Sequence, residues 1–462
     1  MGLPDIVIGV NLLAPQDATR YWLSRHACND LFLLYCFTDT GRPAEQLRAE
    51  LAARAATIAD LGVRLRAGRF AYPAWVPCDI AAEQISEHRL PEATWPAVEA
   101  ALGELLRDGV RAEVRPWQLH LFRGVSGAPG GDDPAVVAVL QLSHALADGQ
   151  RAAGIARALW TTSAASPVGS GRYDARRVGE FAAEAGALAR MPVLVMRTIG
   201  RGFAAARARG ALAELTVRGE VAPPAPDFPP TLLNRPPTPV DHAVRMIVRE
   251  DLRVPGHTVT VVVLTAISLA LSRYLRHRGE PAGRLGAQVS MALPVDTALV
   301  DSRKGVARNN YLDLGIELPV DESDLVRRAD LIAAALAERR TRALHPLLRA
   351  QGRVTEVIPA PVLRRDIAAY PPDLVPEALS GHTVVSSVNR GAADLSLGGG
   401  RVRFTGGFPA LGAVMHLTHG VHGLGPTVTV SVHTDPAALP DIDTYVDFVE
   451  TALTQTVSAL RT

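Results

Sequence analysis

The stretch that decides the fold is Ala135-Val-Val-Ala-Val-Leu-Gln-Leu142, followed directly by Ser143-His-Ala-Leu-Ala-Asp-Gly149. The first part is a nearly continuous apolar run, which predicts a buried β-strand. After Gly149, apolar residues that include Ile155 and Leu159 recur at helical spacing. His144 is therefore expected at the end of a strand, where its side chain can face a crevice.

A histidine in this position can act as a general base. A neutral imidazole accepts a proton from an alcohol or amine near pH 7 when that group is within hydrogen-bond reach. Asp148 is expected to hold the loop through an arginine, Arg303 or Arg308, and Gly149 to allow positive φ or a close backbone approach. The alternative is a buried structural His144 with Asp148 as an ordinary N-cap.

Ser143 is a poor candidate nucleophile. Adjacent residues on an extended segment point to opposite faces, so Ser143 and His144 are not expected to form a dyad. The sequence also lacks the G-x-S-x-G pattern of a serine-hydrolase elbow. We interpret Ser143 as a residue that leaves space beside His144 and makes hydrogen bonds, not as a nucleophile.

Working outward, the run 117–122 predicts a second strand, joined to the first as an antiparallel hairpin by the Gly-rich loop 124–133. Strand-like and helical segments alternate on both sides of a proline-rich stretch. We therefore expect an α/β protein with an N-terminal lobe over 1–165, a helical and proline-rich linker over 166–240 and a second lobe over 241–462. The segment 6–13 is expected to be the first strand, and Pro192 to interrupt a helix.

Composition excludes several classes of protein. The chain has 462 residues, of which 48% are hydrophobic and 21% charged, a balance typical of a large globular protein rather than a disordered one. Its formal net charge of +1 gives no positive potential that would attract nucleic acid. Three cysteines are too few for a disulfide scaffold and indicate a reducing, cytoplasmic location.

No segment is predicted to cross a membrane. The N-terminus lacks the basic region of a signal peptide, and the apolar run 259–271 is shorter than the ~18 residues that a span needs. At most, peripheral membrane contact is expected.

The motif resembles the H-H-x-x-x-D-G signature of the wax ester synthase/diacylglycerol acyltransferase family, which is related to condensation domains and chloramphenicol acetyltransferases. Other segments resemble family landmarks in the same order, from the opening L-S-P-x-D-A to the late S-N-V-P-G-P. In this sequence these landmarks stand at 13–18 (LAPQDA), 114–121 (VRPWQLHL), 310–322 (an Asn-initiated strand ending in LPVDE) and 386–391 (SSVNRG).

The resemblance implies two chloramphenicol acetyltransferase-like subdomains, each a mixed sheet with flanking helices, with an active-site channel between them. Its second histidine, the general base, corresponds to His144. The family pattern is altered at Ser143, at Thr260-Val261 and in the segment 386–391, which indicates a divergent member. The channel or oxyanion candidates are Ser386, Ser387, Asn310, Trp117 and Thr260.

The function that follows is transfer of an acyl group from acyl-CoA or an acyl carrier protein to a hydroxyl or amine, in specialised-metabolite or lipid biosynthesis. No tightly bound cofactor and no metal are expected, and the acyl thioester is a substrate. Two alternatives remain open: a catalytically silent protein that binds an acyl chain or a carrier, and a hydrolase, cyclase or dehydratase on the same fold.

Two further patterns have competing interpretations. The segment with His416, His419 and His422, followed by His433, fits no metal geometry and is expected to line the channel or the surface. An arginine-rich helical segment between Arg176 and Arg218 suits an anionic membrane or a carrier protein. The alternative is a solvated face, because Glu180, Glu184 and Glu214 dilute the charge.

Overall fold

Two six-stranded sheets organise the chain. The computed structural model describes residues 12–161, 180–234, 241–293, 307–371 and 374–461. Most of the predicted first strand lies outside these residues, although Leu12 pairs with Ala74 as an isolated bridge.

The elements up to the linker are α1 (Pro15–Leu23), β1 (Leu31–Thr38), α2 (Ala44–Thr57), β2 (Val63–Arg66), β3 (Ala74–Pro77), β4 (Ile85–His88), α3 (Trp95–Leu105), β5 (Trp117–Val125), β6 (Ala135–Leu142), α4 (Gly149–Trp160) and α5 (Glu180–Val217). Those after it are β7 (Ala243–Arg249), α6 (Val259–His277), β8 (Leu285–Ala292), β9 (Tyr311–Leu318), α7 (Leu325–Ala343), α8 (Pro346–Gly352), α9 (Ala360–Ala368), β10 (Thr383–Asn389), β11 (Ser396–Leu397), β12 (Gly400–Phe408), β13 (Leu417–Leu424), β14 (Thr427–Thr434) and α10 (Ile442–Arg461).

The first sheet has the strand order β11-β12-β1-β6-β5-β4, with β4 and β5 parallel and the other neighbours antiparallel. Every residue of β6 is buried, as its apolar run predicts. The β5–β6 hairpin pairs Trp117 with Leu142, which confirms the predicted antiparallel arrangement. This register places His144 two residues past the end of a central strand.

The second sheet has the order β7-β14-β13-β10-β8-β9, with β10 parallel to both of its neighbours. Helices α6 and α10 pack against each other and share a core cluster with these strands. Helix α6 is long and apolar enough to cross a membrane, but 72% of its most apolar window is buried inside the protein. It is the core helix of the second subdomain.

Two strands that come after the predicted boundary at residue 241 belong to the first sheet. β11 and β12, which lie far into the C-terminal part, complete the first sheet beside β1. Small residues allow this crossing strand to approach the second sheet, because a Cβ on Gly420 would lie 2.3 Å from the carbonyl oxygen of Gly407. The buried guanidinium of Arg390, from the end of β10, donates to the carbonyl of Gly406 at 2.7 Å. The two subdomains are thus interlocked.

The linker contains one long helix. Pro192 was expected to interrupt it, but α5 runs from Glu180 to Val217 with Pro192 inside. After the helix, residues 222–230 form no helix, as their proline content predicts, and Phe228 pairs with Leu379.

Candidate active site

The loop that follows β6 presents His144 at the boundary between the subdomains. The loop is fixed at its start because the amide of Ser143 donates to the carbonyl of Pro116 at 2.8 Å. It is fixed at its end because Asp148 is the N-cap of α4, accepting from the amide of Arg151 at 2.9 Å. Ser143 is only 1% exposed, which agrees with a spatial role.

Asp148 also joins the loop to the second subdomain, but not through an arginine side chain. Its second carboxylate oxygen accepts from the backbone amide of Asn310 at 3.0 Å, and its own amide donates to the carbonyl of Arg308 at 3.1 Å. The expected pairing with Arg308 is therefore wrong for the side chain, and Arg303 lies outside the described residues. A backbone clasp replaces the ion pair because 308–310 runs past the N-terminus of α4.

The guanidinium of Arg308 supports the loop from below. It donates to the carbonyl of Leu146 at 3.2 Å and lies 3.2 Å from a carboxylate oxygen of Asp60. The same buried carboxylate accepts two hydrogen bonds from Arg151, at 2.8 and 3.1 Å. The Asp60 carboxylate thus links Arg151 on α4 to Arg308, which holds the carbonyl of Leu146 in the His144 loop.

Asp17 and Asn309 are functional-site residues that the sequence analysis did not single out. Asp17, 2% exposed on α1, accepts from the backbone amides of Arg308 and Asn309, both at 2.9 Å, and from the side chain of Asn309 at 3.0 Å. The Asn309 side chain also donates to the carbonyl of His144 at 2.7 Å. Asp17 lies in the opening segment that resembles the family, which was the available signal.

Of the adjacent residues Asn309 and Asn310, the sequence predicts Asn310 as a channel or oxyanion candidate. Its side chain instead donates to the carbonyl of Leu293 at 3.1 Å, and only its backbone contacts Asp148. Two adjacent asparagines before a strand cannot be told apart by composition, because successive side chains point in different directions.

Tyr311, the first residue of β9, is the nearest polar side chain to the imidazole of His144. Its hydroxyl lies 3.2 Å from Nε2, and the two rings are stacked with their centroids 5.8 Å apart. The guanidinium of Arg20 lies over the Tyr311 ring, 5.2 Å from its centroid. Tyr311 lies in the landmark segment 310–322 but was not singled out, and Arg20 lies in none of the landmark segments.

Burial sets the protonation states of this pair. Desolvation, with the nearby charge of Arg20 second, lowers the pKa of His144 to about 4. Desolvation raises the pKa of Tyr311 to about 12, against the opposing effect of Arg20. Both groups are therefore neutral at pH 7, and in the tautomer protonated at Nδ1 the tyrosine hydroxyl donates to Nε2.

The end of β10 borders the same loop from the second subdomain. A Cβ on Gly149 would lie 3.2 Å from Cγ2 of Val388, so Gly149 permits the close approach expected of it. Ser386 shares the strand face of Val388, because alternate residues share a face. Ser387 faces the other way and accepts a 3.0 Å hydrogen bond from Thr260 on α6.

Solved structures resemble this fold over nearly the whole chain. A wax ester synthase/diacylglycerol acyltransferase from Marinobacter aquaeolei superposes with a TM-score of 0.61 at 17% identity, covering 96% of this chain and 98% of the other. The chain has the fold shared by wax ester synthases and condensation domains. No protein-family model and no curated protein sequence matches it.

Two other solved structures, a condensation domain and an acetyltransferase, have the same fold. A starter condensation domain of rhizomide synthetase in complex with C8-CoA has a TM-score of 0.54 at 13% identity, covering 96% of this chain and 94% of that one. A trichothecene 15-O-acetyltransferase from Fusarium sporotrichioides has 0.53 at 13%, covering 98% and 95%. The expectation of two chloramphenicol acetyltransferase-like subdomains is confirmed for the fold.

Within this condensation-domain-like fold, Trp117 does not line the space beside His144. Its side chain is 1% exposed, and the indole N–H donates to the carbonyl of Leu61 at 2.8 Å. The expectation for this side chain is wrong because β5 turns it into the core of the first subdomain. A cavity of about 520 Å³ next to this strand includes Val110, Arg111, Trp117 and Gln118 in its lining, but not His144.

The histidine-rich segment is also part of the core rather than of the channel or surface. His419 lies between Thr383 and Tyr445 with hydrogen bonds of 2.9 Å to each, and burial lowers its pKa to about 3. Nε2 of His433 and Nδ1 of His242 share a hydrogen bond of 2.9 Å. No group of residues that could hold a metal ion occurs in the part of the chain that the structure describes.

Proposed function

We propose that the protein is an acyltransferase that moves an acyl group from a thioester, acyl-CoA or an acyl carrier protein, to a hydroxyl or amine. The observation that carries this proposal is the hydroxyl of Tyr311 at 3.2 Å from Nε2 of His144. In the tautomer protonated at Nδ1, the neutral imidazole accepts this hydrogen bond at Nε2, which is the geometry a general base requires.

In the proposed reaction, His144 removes the proton from the acceptor hydroxyl or amine as that atom attacks the thioester carbonyl. The new C–O or C–N bond gives a tetrahedral oxyanion. Collapse of this intermediate breaks the C–S bond, and the imidazolium returns the proton to the departing thiolate. No covalent acyl-enzyme and no redox partner are needed, and the products are an ester or amide and a free thiol.

Ser386 is the better of the two serine candidates for the oxyanion. It lies on the β10 face that Val388 directs toward α4, whereas the Ser387 hydroxyl is engaged with Thr260. A hydroxyl donor near the developing negative charge stabilises the tetrahedral intermediate. Thr260 thereby acts through Ser387 rather than on substrate.

In the free protein, the hydroxyl of Tyr311 occupies the position beside Nε2 of His144 that the acceptor would take. An acceptor hydroxyl and the tyrosine hydroxyl compete for one lone pair on Nε2, since an imidazole nitrogen accepts one hydrogen bond. The tyrosine must therefore yield when the acceptor binds. The altered residues 143, 260 and 387 favour an acceptor from specialised-metabolite or lipid biosynthesis.

The test is to incubate the full chain with acyl-CoA thioesters of increasing chain length and to measure free thiol release, with and without alcohols and amines. Thiol release that depends on an acceptor, with the ester or amide found by mass spectrometry, is the expected result. His144→Ala should remove it, and Ser143→Ala serves as the matched control.

Other outcomes assign the alternatives. Equal thiol release without any acceptor would make the protein a hydrolase. Absence of thiol release with every donor, accompanied by a rise in melting temperature on adding acyl-CoA, would make it a silent acyl-binding homologue.

A further inference from the structure

Helix α5 exposes large apolar side chains on the side that faces away from the protein. Its inner side is buried through Ala205, Ala208 and Leu212. Spacings of three, four and seven residues place the exposed apolar side chains on one broad face. This outer face consists of Leu188, Val193, Val195, Met196, Ile199 and Phe203. Over 188–203 it is about 22 Å long, at 1.5 Å per residue.

The helix is also strongly basic. It carries five exposed arginines, and there is no Asp or Glu from residue 185 to residue 213. These arginines are Arg190, Arg197, Arg201, Arg207 and Arg209. Within the described residues none of them forms an ion pair.

Glu184, one of the three acidic residues on which the solvated-face interpretation rests, does not lie on the outer face. Its carboxylate is turned toward the first subdomain, where it accepts from the amides of Arg69, Phe70 and Ala71 at 2.8, 2.7 and 3.2 Å. A carboxylate held by three backbone amides is fixed in place. The outer face is therefore apolar, with arginines on the remaining sides of the helix and no acidic residue from 185 to 213.

The inner side of α5 already has its partners. The helix packs on α8 and on the turn Thr355–Val357, where the hydroxyl of Thr198 donates to the carbonyl of Val357 at 3.0 Å. The same turn contacts α1, the helix that carries Asp17 and Arg20. The inner side of α5 is therefore covered by the protein, whereas the outer face is exposed.

We propose that the outer face of α5 lies in the plane of an anionic lipid bilayer as an interfacial helix. Large apolar side chains enter the boundary between headgroups and acyl chains, while flanking arginines reach the phosphates. An acidic carrier protein would account for the arginines. It would not account for Met196 and Phe203, which are 68% and 67% exposed. This surface is independent of the proposed reaction.

The test is co-sedimentation of the full chain with vesicles of phosphatidylcholine alone or mixed with phosphatidylglycerol. Binding is expected to the mixed vesicles, to weaken with salt, and to fall about tenfold or more in the double variant Met196→Glu/Phe203→Glu. The matched control is Val326→Glu/Leu331→Glu, which places the same two charges at exposed apolar residues of α7.

A second pair of variants tests the charge. Replacing Arg190, Arg197 and Arg201 by Ser should abolish the preference for phosphatidylglycerol. Replacing three exposed arginines of the first subdomain, Arg48, Arg89 and Arg111, should leave the preference intact. Circular dichroism checks that each variant is folded.

Wild-type protein that fails to sediment with either vesicle, or a double variant that binds as well as wild type, would overturn the proposal. A dimer by light scattering that becomes monomeric in the double variant, without vesicle binding, would assign the face to a second copy of this chain. Thiol-release assays with a short-chain thioester are measured separately, so a failure of the proposed function leaves the vesicle result unaffected.

Discussion

The side chain of Asn309, in the second subdomain, donates to the carbonyl of His144, in the first, at 2.7 Å. Asp17 holds the same amide from α1 at 3.0 Å. The orientation of the proposed base therefore depends on how the subdomains dock, and not only on the loop that carries it.

Replacing the proposed base should remove turnover without unfolding the protein. We expect His144→Ala to lower kcat by ~10²–10⁴, because general-base catalysis contributes on this order. Thermal melting should be close to wild type, and Ser143→Ala should keep most activity while changing acceptor preference. Normal turnover of a folded His144→Ala protein would refute the mechanism, as would an acyl adduct on Ser143.

Asn309 and Asn310 form a matched pair for testing the positioning of His144. Asn309→Ala should lower kcat by about tenfold, the equivalent of one hydrogen bond of ~1.4 kcal/mol. Asn310→Ala should lower it much less, because its side chain binds Leu293 and its backbone still reaches Asp148. A steady-state assay on both variants distinguishes them, and equal losses would contradict the assignment.

Asp148 should affect stability as well as rate. Asp148→Ala removes the N-cap of α4 and the acceptor for the Asn310 amide, which together cost about 2–4 kcal/mol in the free energy of unfolding. Asp148→Asn retains an oxygen that can cap the helix and should lose about half as much. Urea denaturation measures both, and an Asp148→Ala protein as stable as wild type would contradict the backbone clasp.

Tyr311→Phe should help the acceptor to bind. Without the competing hydroxyl, the acceptor KM is expected to fall about fivefold, since one hydrogen bond of ~1 kcal/mol no longer has to be displaced. The value of kcat should stay within about threefold of wild type. A fall in kcat by ~10² would instead show that the phenol takes part in proton transfer.

The pH profile should reflect the lowered pKa of His144. Only the neutral imidazole acts as a base, and it is the main form at every pH above about 4. The value of kcat/KM should therefore be flat from about pH 5.5 to 8 and fall only as pH approaches 4. An inflection near 6.5, the ordinary histidine value, would show that the site is hydrated in the free protein.

The local sequence determines the parts of the site that depend on short-range order. A continuous apolar run buries β6, and the motif after it places His144 at the strand end, caps α4 with Asp148 and requires Gly149 where Val388 approaches. These features follow from residues within a few positions of one another. Periodicity and turn chemistry therefore predict them.

Only the tertiary structure decides which distant groups meet these residues. Asn309 and Tyr311 reach the loop from more than 120 residues away, and Asp17 holds Asn309 in place. Strand β12 crosses from the C-terminal part into the first sheet. The same docking decides that Asn309 rather than Asn310 holds His144, and that the side chain of Trp117 is buried in the first subdomain. A strand or loop pattern fixes which side chains alternate, whereas the docking of two sheets fixes which of them face the same space.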